Sequence, residues 1–491
     1  MLKKKLVIVG GGTAGWLAAL WVKKTLPNYD ITLIQSKELG IIGVGESTTP
    51  NFVLALEYLG IKPTDLVNAT KGSIKNGISF ENWNGDGKRY FHSFGDYVSD
   101  FAVPPIFSKD SSFHFQRLVV SKNLNLGDYM YQHRLAYTNK VDVNRTSYSL
   151  QFDAVLVGKH LNEIAVSRGV QEIEGTINNF SQDEKGFVRK IYLDDGREVE
   201  CDFVFDCSGF ARLIIGGLYK QKWISHSKYL PMKKGIPFWL ESEEIIKPYT
   251  SCTALKYGWT WNIPLQNRIG AGYVFDSDYI SDDEALAEAE KHYGRKLEPR
   301  KFIPFDPGRY ENHWVKNCIA FGLSSSFIEP LESTSLFATI GQLQILLNYY
   351  DDLDNPRDNS VKLYNKQCAK GFDEISDLVY LHYITKRNDS KFWQEFKDKN
   401  PIPPTLQEKL EFLKEGNLRT FNIDKNSAVY FESSSWLQVG VGLGILESPP
   451  RVTNLDTVYP SIEQYKNAIE HLLIHEAHNH RYFLENAKVR T

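Results

Sequence analysis

Residues 6–20 read Leu6-Val7-Ile8-Val9-Gly10-Gly11-Gly12-Thr13-Ala14-Gly15-Trp16-Leu17-Ala18-Ala19-Leu20. A short apolar, β-branched run feeds into Gly10, Gly12 and Gly15 at G-x-G-x-x-G spacing, and a helical pattern follows. The motif thus stands between a strand and a helix, the context in which it binds a dinucleotide. Gly10 permits the tight turn, Gly12 lets backbone approach a pyrophosphate, and Gly15 allows close helix-to-strand contact. The helix N-terminus, with Thr13 and Ala14, then faces the phosphates. A second strand at Ile31-Thr32-Leu33-Ile34, about 20 residues on, strengthens the fingerprint. It ends on Gln35, where an acid would ordinarily bind ribose hydroxyls; the amide can still accept a hydrogen bond, without charge assistance.

Working outward, Ile41-Ile42-Gly43-Val44-Gly45-Glu46-Ser47-Thr48-Thr49-Pro50 is a glycine-rich loop with Pro50 placed to start a helix. Gly45, Glu46, Ser47 and Thr48 are candidate cofactor contacts. Val204-Phe205-Asp206-Cys207-Ser208-Gly209-Phe210 and Cys318-Ile319-Ala320-Phe321-Gly322-Leu323-Ser324 each close an apolar strand on small residues, including Gly322. Such ends suit close approach to a ligand, and together with the fingerprint they predict a cofactor crevice. Residues 160–205 alternate with turn signals such as Asp194-Asp195-Gly196 and predict a hairpin layer against the sheet. From about residue 340 the patterns become long and helical. The expected fold class is α/β: a Rossmann-like cofactor box over 1–340, with inserted substrate-site segments around 75–150, and a mostly helical region over 341–491.

Composition excludes several classes. A chain of 491 residues with 42% hydrophobic content can bury a large core. Lys plus Arg number 57 against 60 for Asp plus Glu, so a net charge of -3 gives no reason to expect nucleic acid or a membrane as partner. The cysteines at 201, 207, 252, 318 and 368 form neither C-x-x-C nor zinc spacing, which suits a reducing compartment. No unbroken apolar stretch is long enough to span a bilayer. The expectation is a soluble, cytoplasmic protein. The number of subunits is left open, a homo-oligomer included.

Gly258-Trp259-Thr260-Trp261-Asn262-Ile263-Pro264 places Trp259 and Trp261 on one face of an extended segment, a bulky apolar wall. With this stretch, the chain resembles the flavin-dependent halogenases of the tryptophan-halogenase type. The resemblance is carried by G-G-G-T-A-G-W, I-G-V-G-E-S-T, D-C-S-G-F at 206–210, G-W-T-W-N-I-P, Phe327-Ile328-Glu329-Pro330-Leu331-Glu332-Ser333-Thr334-Ser335, Leu381-His382-Tyr383, Arg387 and Phe392-Trp393. The composition, rich in lysine, asparagine and tyrosine with only three Met, also resembles phage-encoded members.

The resemblance implies a flavin box with a helical pyramid, FAD reduced by a separate reductase, and a halide (chloride, bromide or iodide) converted to hypohalous acid. That acid would pass through a tunnel to a lysine beside the substrate. The lysine matching the family motif is Lys75, in Ser73-Ile74-Lys75-Asn76-Gly77-Ile78-Ser79-Phe80-Glu81-Asn82-Trp83, and the second catalytic residue corresponds to Glu332. Only a neutral Lys75 amine has a lone pair for the halogen; burial favours it, and the Glu332 charge opposes it. Backbone amides near Thr334 and Ser335 would hold the halide. Trp259 and Trp261 would keep an organic substrate away from the flavin.

His92 and Phe94, in His92-Ser93-Phe94-Gly95, match the segment that sandwiches a flat substrate, with Trp436 as a third candidate. The stretch 428–437 lacks the clamp that family members taking free tryptophan use for the amino-acid end. A free, electron-rich indole- or phenol-like arene is therefore the expected substrate. The alternatives are an FAD-dependent aromatic hydroxylase, a tryptophan-specific halogenase and a non-catalytic redox sensor. His471, His475, His478 and His480 lack H-E-x-x-H spacing and are read as a solvated helix face, with no metal.

Overall fold

Strand Lys4–Val9 is central in a six-stranded sheet ordered Trp314–Val315, Cys318–Ala320, Phe203–Asp206, Lys4–Val9, Tyr29–Gln35, Gln171–Glu174. The pairs are parallel except at the outer hairpin of 314–319. Leu6, Val7, Ile8 and Val9 are all buried. Continuous apolar sequence is what a strand covered on both faces requires. The computed structural model describes residues 3–36, 45–94, 140–141, 143, 147–350, 353, 355–415, 431, 433–445, 467, 471, 474–475 and 477–486. Residues 41–44, Gly95 with most of the segment around 75–150, and much of 428–437 lie outside that set.

The strand order reverses between Lys4–Val9 and Phe203–Asp206, and the glycine loop emerges at that switch point. Gly10 has φ +114°, and a Cβ there would lie 2.1 Å from the Cys207 carbonyl oxygen. Only glycine fits that turn. Helix Thr13–Thr25 follows, as its pattern predicts.

Residues 160–205 divide differently from the predicted hairpin layer. Helix Ala154–Ser167, capped by the Asp153 carboxylate, occupies the start, and Gln171–Glu174 joins the parallel sheet. The antiparallel layer is confined to Ile177–Gln182, Val188–Leu193 and Glu198–Glu200.

A second, seven-stranded sheet runs Ile303–Pro304, Lys234–Glu241, Arg268–Phe275, Gly258–Pro264, Thr250–Ala254, Gly77–Glu81, Arg89–Ser93. Helix Thr334–Leu346 crosses residue 340, so helical structure begins before that position. Helices Asp358–Leu381, Lys391–Lys399, Pro404–Glu415 and Ser433–Gly442 follow. They share one apolar core with the second sheet, including Phe80, Trp83, Trp259, Tyr383, Trp393 and Trp436. Each such ring removes roughly 150–250 Å² from water, an upper estimate of roughly 4–6 kcal/mol. Aromatic burial is what seats the helices on the sheet.

Candidate active site

Lys75 ends the short strand Ser73–Lys75, pairing with Ser149 on strand Ser149–Phe152. Its side chain is fully buried. Nζ donates to the Thr48 carbonyl at 2.9 Å and to Ser333 Oγ at 2.8 Å. The ammonium position lies 5.0 Å from the centroid of the Phe94 ring. Burial pulls the Lys75 pKa down to about 7, and the Glu332 charge opposes that pull. Between the two influences left open by the sequence, burial prevails, and a large neutral fraction is present near pH 7.

Glu332 is 2% exposed. Its carboxylate lies 2.9 and 3.0 Å from His92 Nδ1 and 2.7 Å from His382 Nε2. Burial would raise its pKa, but His92 and His382 overcome that and hold it down at about 2. An ionised carboxylate only accepts hydrogen bonds, so both facing ring nitrogens carry protons. His382 is kept neutral by burial, so its Nδ1 accepts from the Tyr90 hydroxyl at 2.7 Å. Tyr90 and His92 stand two apart on strand Arg89–Ser93 and thus share a face.

The predicted residues separate into groups. Lys75, Glu332, His92 and Phe94 come together through these contacts. Ser47 and Thr48, expected at the cofactor, lie in the Lys75 setting: Ser333 Oγ donates to Ser47 Oγ at 3.1 Å, and Thr48 supplies its carbonyl to Lys75. Trp259 and Trp261 share a face, with ring centroids 6.2 Å apart and planes at 61°. Trp261 lies over Gly272, where a Cβ would meet its ring at 2.1 Å. Trp436 stands on helix Ser433–Gly442, which packs against Arg89–Ser93. The Lys409 ammonium lies 4.6 Å from the Trp436 ring centroid.

Gly10, Gly12, Thr13, Ala14, Gly15, Gln35, Glu46 and Gly322 are the residues expected to line the nucleotide crevice. Thr13 Oγ1 donates to Glu46 Oε1 at 3.2 Å, and a Cβ on Gly322 would lie 2.9 Å from that of Ala14. Gln35 Nε2 donates to Glu172 Oε1 at 2.6 Å. Gly45, at φ +135°, lies beside Ile263 of the tryptophan strand. The crevice fits FAD. Helix Thr13–Thr25 has no side-chain cap, Gly12 opens onto free space, and Glu46 Oε2 is buried without a partner. Burial pushes the Glu46 pKa up to about 7.

Thr334 and Ser335 open helix Thr334–Leu346, which also has no side-chain cap; Ser333 before it adopts φ +58°. A cavity of about 20 Å³ lies among Gly322, Thr334, Ser335 and Thr339. About 10–15 Å³ suffices for one water, so the space suits a small ion.

Tyr90, His382 and Ser333 were not singled out for roles from the sequence. The spacing Tyr90-x-His92 was a signal for the first. His480 departs from the predicted solvated face. His471, His475 and His478 are exposed, but His480 is fully buried. It accepts from the Ile74 N–H at 3.0 Å and donates through Nδ1 to the Ile246 carbonyl at 3.0 Å. Among the described residues, no helix is long and apolar enough to cross a membrane.

Fold and site together define an FAD-binding enzyme of the Rossmann-like class, with a fully buried lysine and a buried carboxylate. The tryptophan halogenase family model matches residues 5–457, and the chain belongs to that family of flavin-dependent halogenases, which use FAD and halide. It is 30% identical over 514 residues to the tryptophan 7-halogenase RebH of Lentzea aerocolonigenes, covering 95% of this chain and 94% of that one. A flavin-dependent halogenase from Xanthomonas campestris superposes with TM-score 0.89 at 31% identity, covering 99% of both chains. BrvH, a flavin-dependent halogenase from Brevundimonas sp. BAL3, gives TM-score 0.86 at 32% identity, again covering 99% of both.

Proposed function

We propose that this halogenase transfers electrophilic halogen from Lys75 to a free, neutral, electron-rich arene such as an indole or phenol. The observation that carries the reading is the fully buried Lys75 amine, aligned by Thr48 and Ser333 next to Glu332. Bound reduced FAD, with oxygen, supplies the oxidising chemistry that makes hypohalous acid from halide. The uncapped start of Thr334–Leu346 would hold the halide through the N–H groups of Thr334 and Ser335. Trp259 and Trp261 would exclude organic molecules from the flavin side.

The neutral Lys75 amine attacks hypohalous acid, forming an N–halogen bond and releasing water. The arene then takes the halogen, and the ring proton returns to the amine, so Lys75 is regenerated. Glu332 stays ionised, with both oxygens already accepting, so its charge would stabilise the cationic ring rather than keep the proton. His92 and Phe94 would flank the ring. The stretch 428–437 departs from the tryptophan clamp, which favours a neutral arene.

A separate cytoplasmic flavin reductase would supply reduced FAD. The test combines enzyme, FAD, an unrelated reductase, NADH, bromide and indole. Bromoindole supports the reading, hydroxylated indole would favour a monooxygenase, and direct reduction of bound flavin by NADH would remove the need for a reductase.

A further inference from the structure

Glu329 is a second buried carboxylate that halogen transfer, as proposed above, leaves unused. It is 1% exposed, three residues before Glu332. Its Oε2 accepts from Trp259 Nε1 at 2.9 Å and from the Tyr383 hydroxyl at 2.7 Å. Its Oε1 is buried with no hydrogen-bond partner. Burial raises its pKa to about 7 against the pull of those two donors.

The arrangement is paired. His382 and Tyr383 are consecutive residues just beyond helix Asp358–Leu381; His382 donates to Glu332 and Tyr383 to Glu329. Each acid of the Glu329-Pro330-Leu331-Glu332 turn is thus held by one residue from the same end of the helical region. Glu329 alone also reaches the tryptophan wall. Trp259 is fully buried in an apolar cluster, so without Glu329 its indole N–H would lose its carboxylate acceptor and have only the Tyr383 hydroxyl in reach, and the ring would shift toward it. Tyr383 is wedged among Trp83, Trp393 and Phe396, which makes it a firm anchor.

We infer that Glu329 is a positioning residue: by accepting from both Trp259 and Tyr383, it fixes the flavin-side wall relative to the helical substrate region and so sets how much oxidant reaches Lys75. The inference rests on the halogen-transfer reading. Displacing the wall would favour the uncoupled route, in which FADH2 and O2 give FAD and H2O2.

The experiment measures bromoindole per flavin oxidised and H2O2 released, with FAD affinity and thermal midpoint as controls. E329Q keeps an oxygen that can accept from both donors, and its yield per flavin should stay within about twofold of wild type. E329L should lose roughly fivefold or more in yield, with H2O2 rising to match, while FAD affinity and flavin oxidation rate change by less than about twofold. Y383F, which removes one donor and no charge, should lose roughly twofold or more, and combined with E329L the total loss should be smaller than the product of the two single losses. An E329L enzyme that melts lower yet keeps its wild-type yield would overturn the inference, as would E329Q behaving like E329L. If E329L does not fold, Y383F decides: reduced yield supports the inference and unchanged yield overturns it. Absence of halogenated product from the wild type with any arene would overturn both readings, whereas equal yields in wild type and E329L overturn only this one.

Discussion

Glu332 and His382 share a hydrogen bond of 2.7 Å in a setting where both are almost fully buried. A buried carboxylate left without donors takes up a proton, so His382 and His92 are what keep Glu332 ionised. Removing His382 should therefore raise the Glu332 pKa from about 2. His382→Ala should lower halogenation by roughly 10-fold at neutral pH, with a new acid limb in the pH profile at the pH of Glu332 protonation. Tyr90→Phe, which removes only the donor to His382 Nδ1, should have a smaller effect. A pH–rate series on both variants checks this; an unchanged profile in His382→Ala would mean that His92 alone suffices.

Lys75 provides the second pH signature. If the neutral amine takes the halogen, product per flavin should rise with pH through about 7, the value burial sets for Lys75. Lys75→Ala should cut halogenation by roughly 100-fold or more while reduced flavin is still oxidised. The stability consequence has a definite sign. Below about 7 the lysine is protonated folded and unfolded, so its burial penalty is constant. Between about 7 and the ordinary 10.5, the unfolded chain holds a proton that the folded one lacks, so stability gains with rising pH. Lys75→Met should flatten that slope in denaturant titrations across this window.

How far the sequence could be read depended on whether a role is local. The Gly10-x-Gly12-x-x-Gly15 loop is dictated by contacts between neighbouring elements, and Trp259 and Trp261 share a face because strand geometry requires it. The Lys75 setting is not local: its partners Thr48 and Ser333 come from segments 27 and 258 residues away. Tyr90 and His382 lie 292 residues apart, and no periodicity relates them. His480 misled for the same reason. Its neighbours His475 and His478 are exposed, and only docking against Ile74 and Ile246, 406 and 234 residues distant, buries it.

That docking makes the C-terminal segment part of the Lys75 setting. His480 satisfies the Ile74 N–H, next to Lys75, and burial holds its pKa near 4, so it remains a neutral acceptor at working pH. His480→Leu leaves the buried Ile74 donor unpaired, at a cost of about 1–3 kcal/mol. Product per flavin should fall severalfold in His480→Leu and recover in His480→Gln, which offers both an acceptor and a donor. Equal coupling in the two variants, alongside equal losses in thermal midpoint, would confine His480 to stability.

Substrate preference follows from the polar groups a ligand must find. The Lys75 amine and the Glu332 carboxylate are already engaged by Thr48, Ser333, His92 and His382. Neither is free to neutralise the ammonium and carboxylate of an amino acid. Burying such a zwitterion without matched partners would cost several kcal/mol, roughly a 100-fold preference or more for a neutral ring of similar area. With equal concentrations of indole and free tryptophan, and bromide as halide, the product should be mainly bromoindole. Electron-rich rings should react faster than deactivated rings of the same size, because the halogen arrives as an electrophile. Competition assays resolved by mass spectrometry test both statements. A dominant, single bromotryptophan isomer would show that side chains outside His92, Phe94 and Trp436 form an amino-acid clamp.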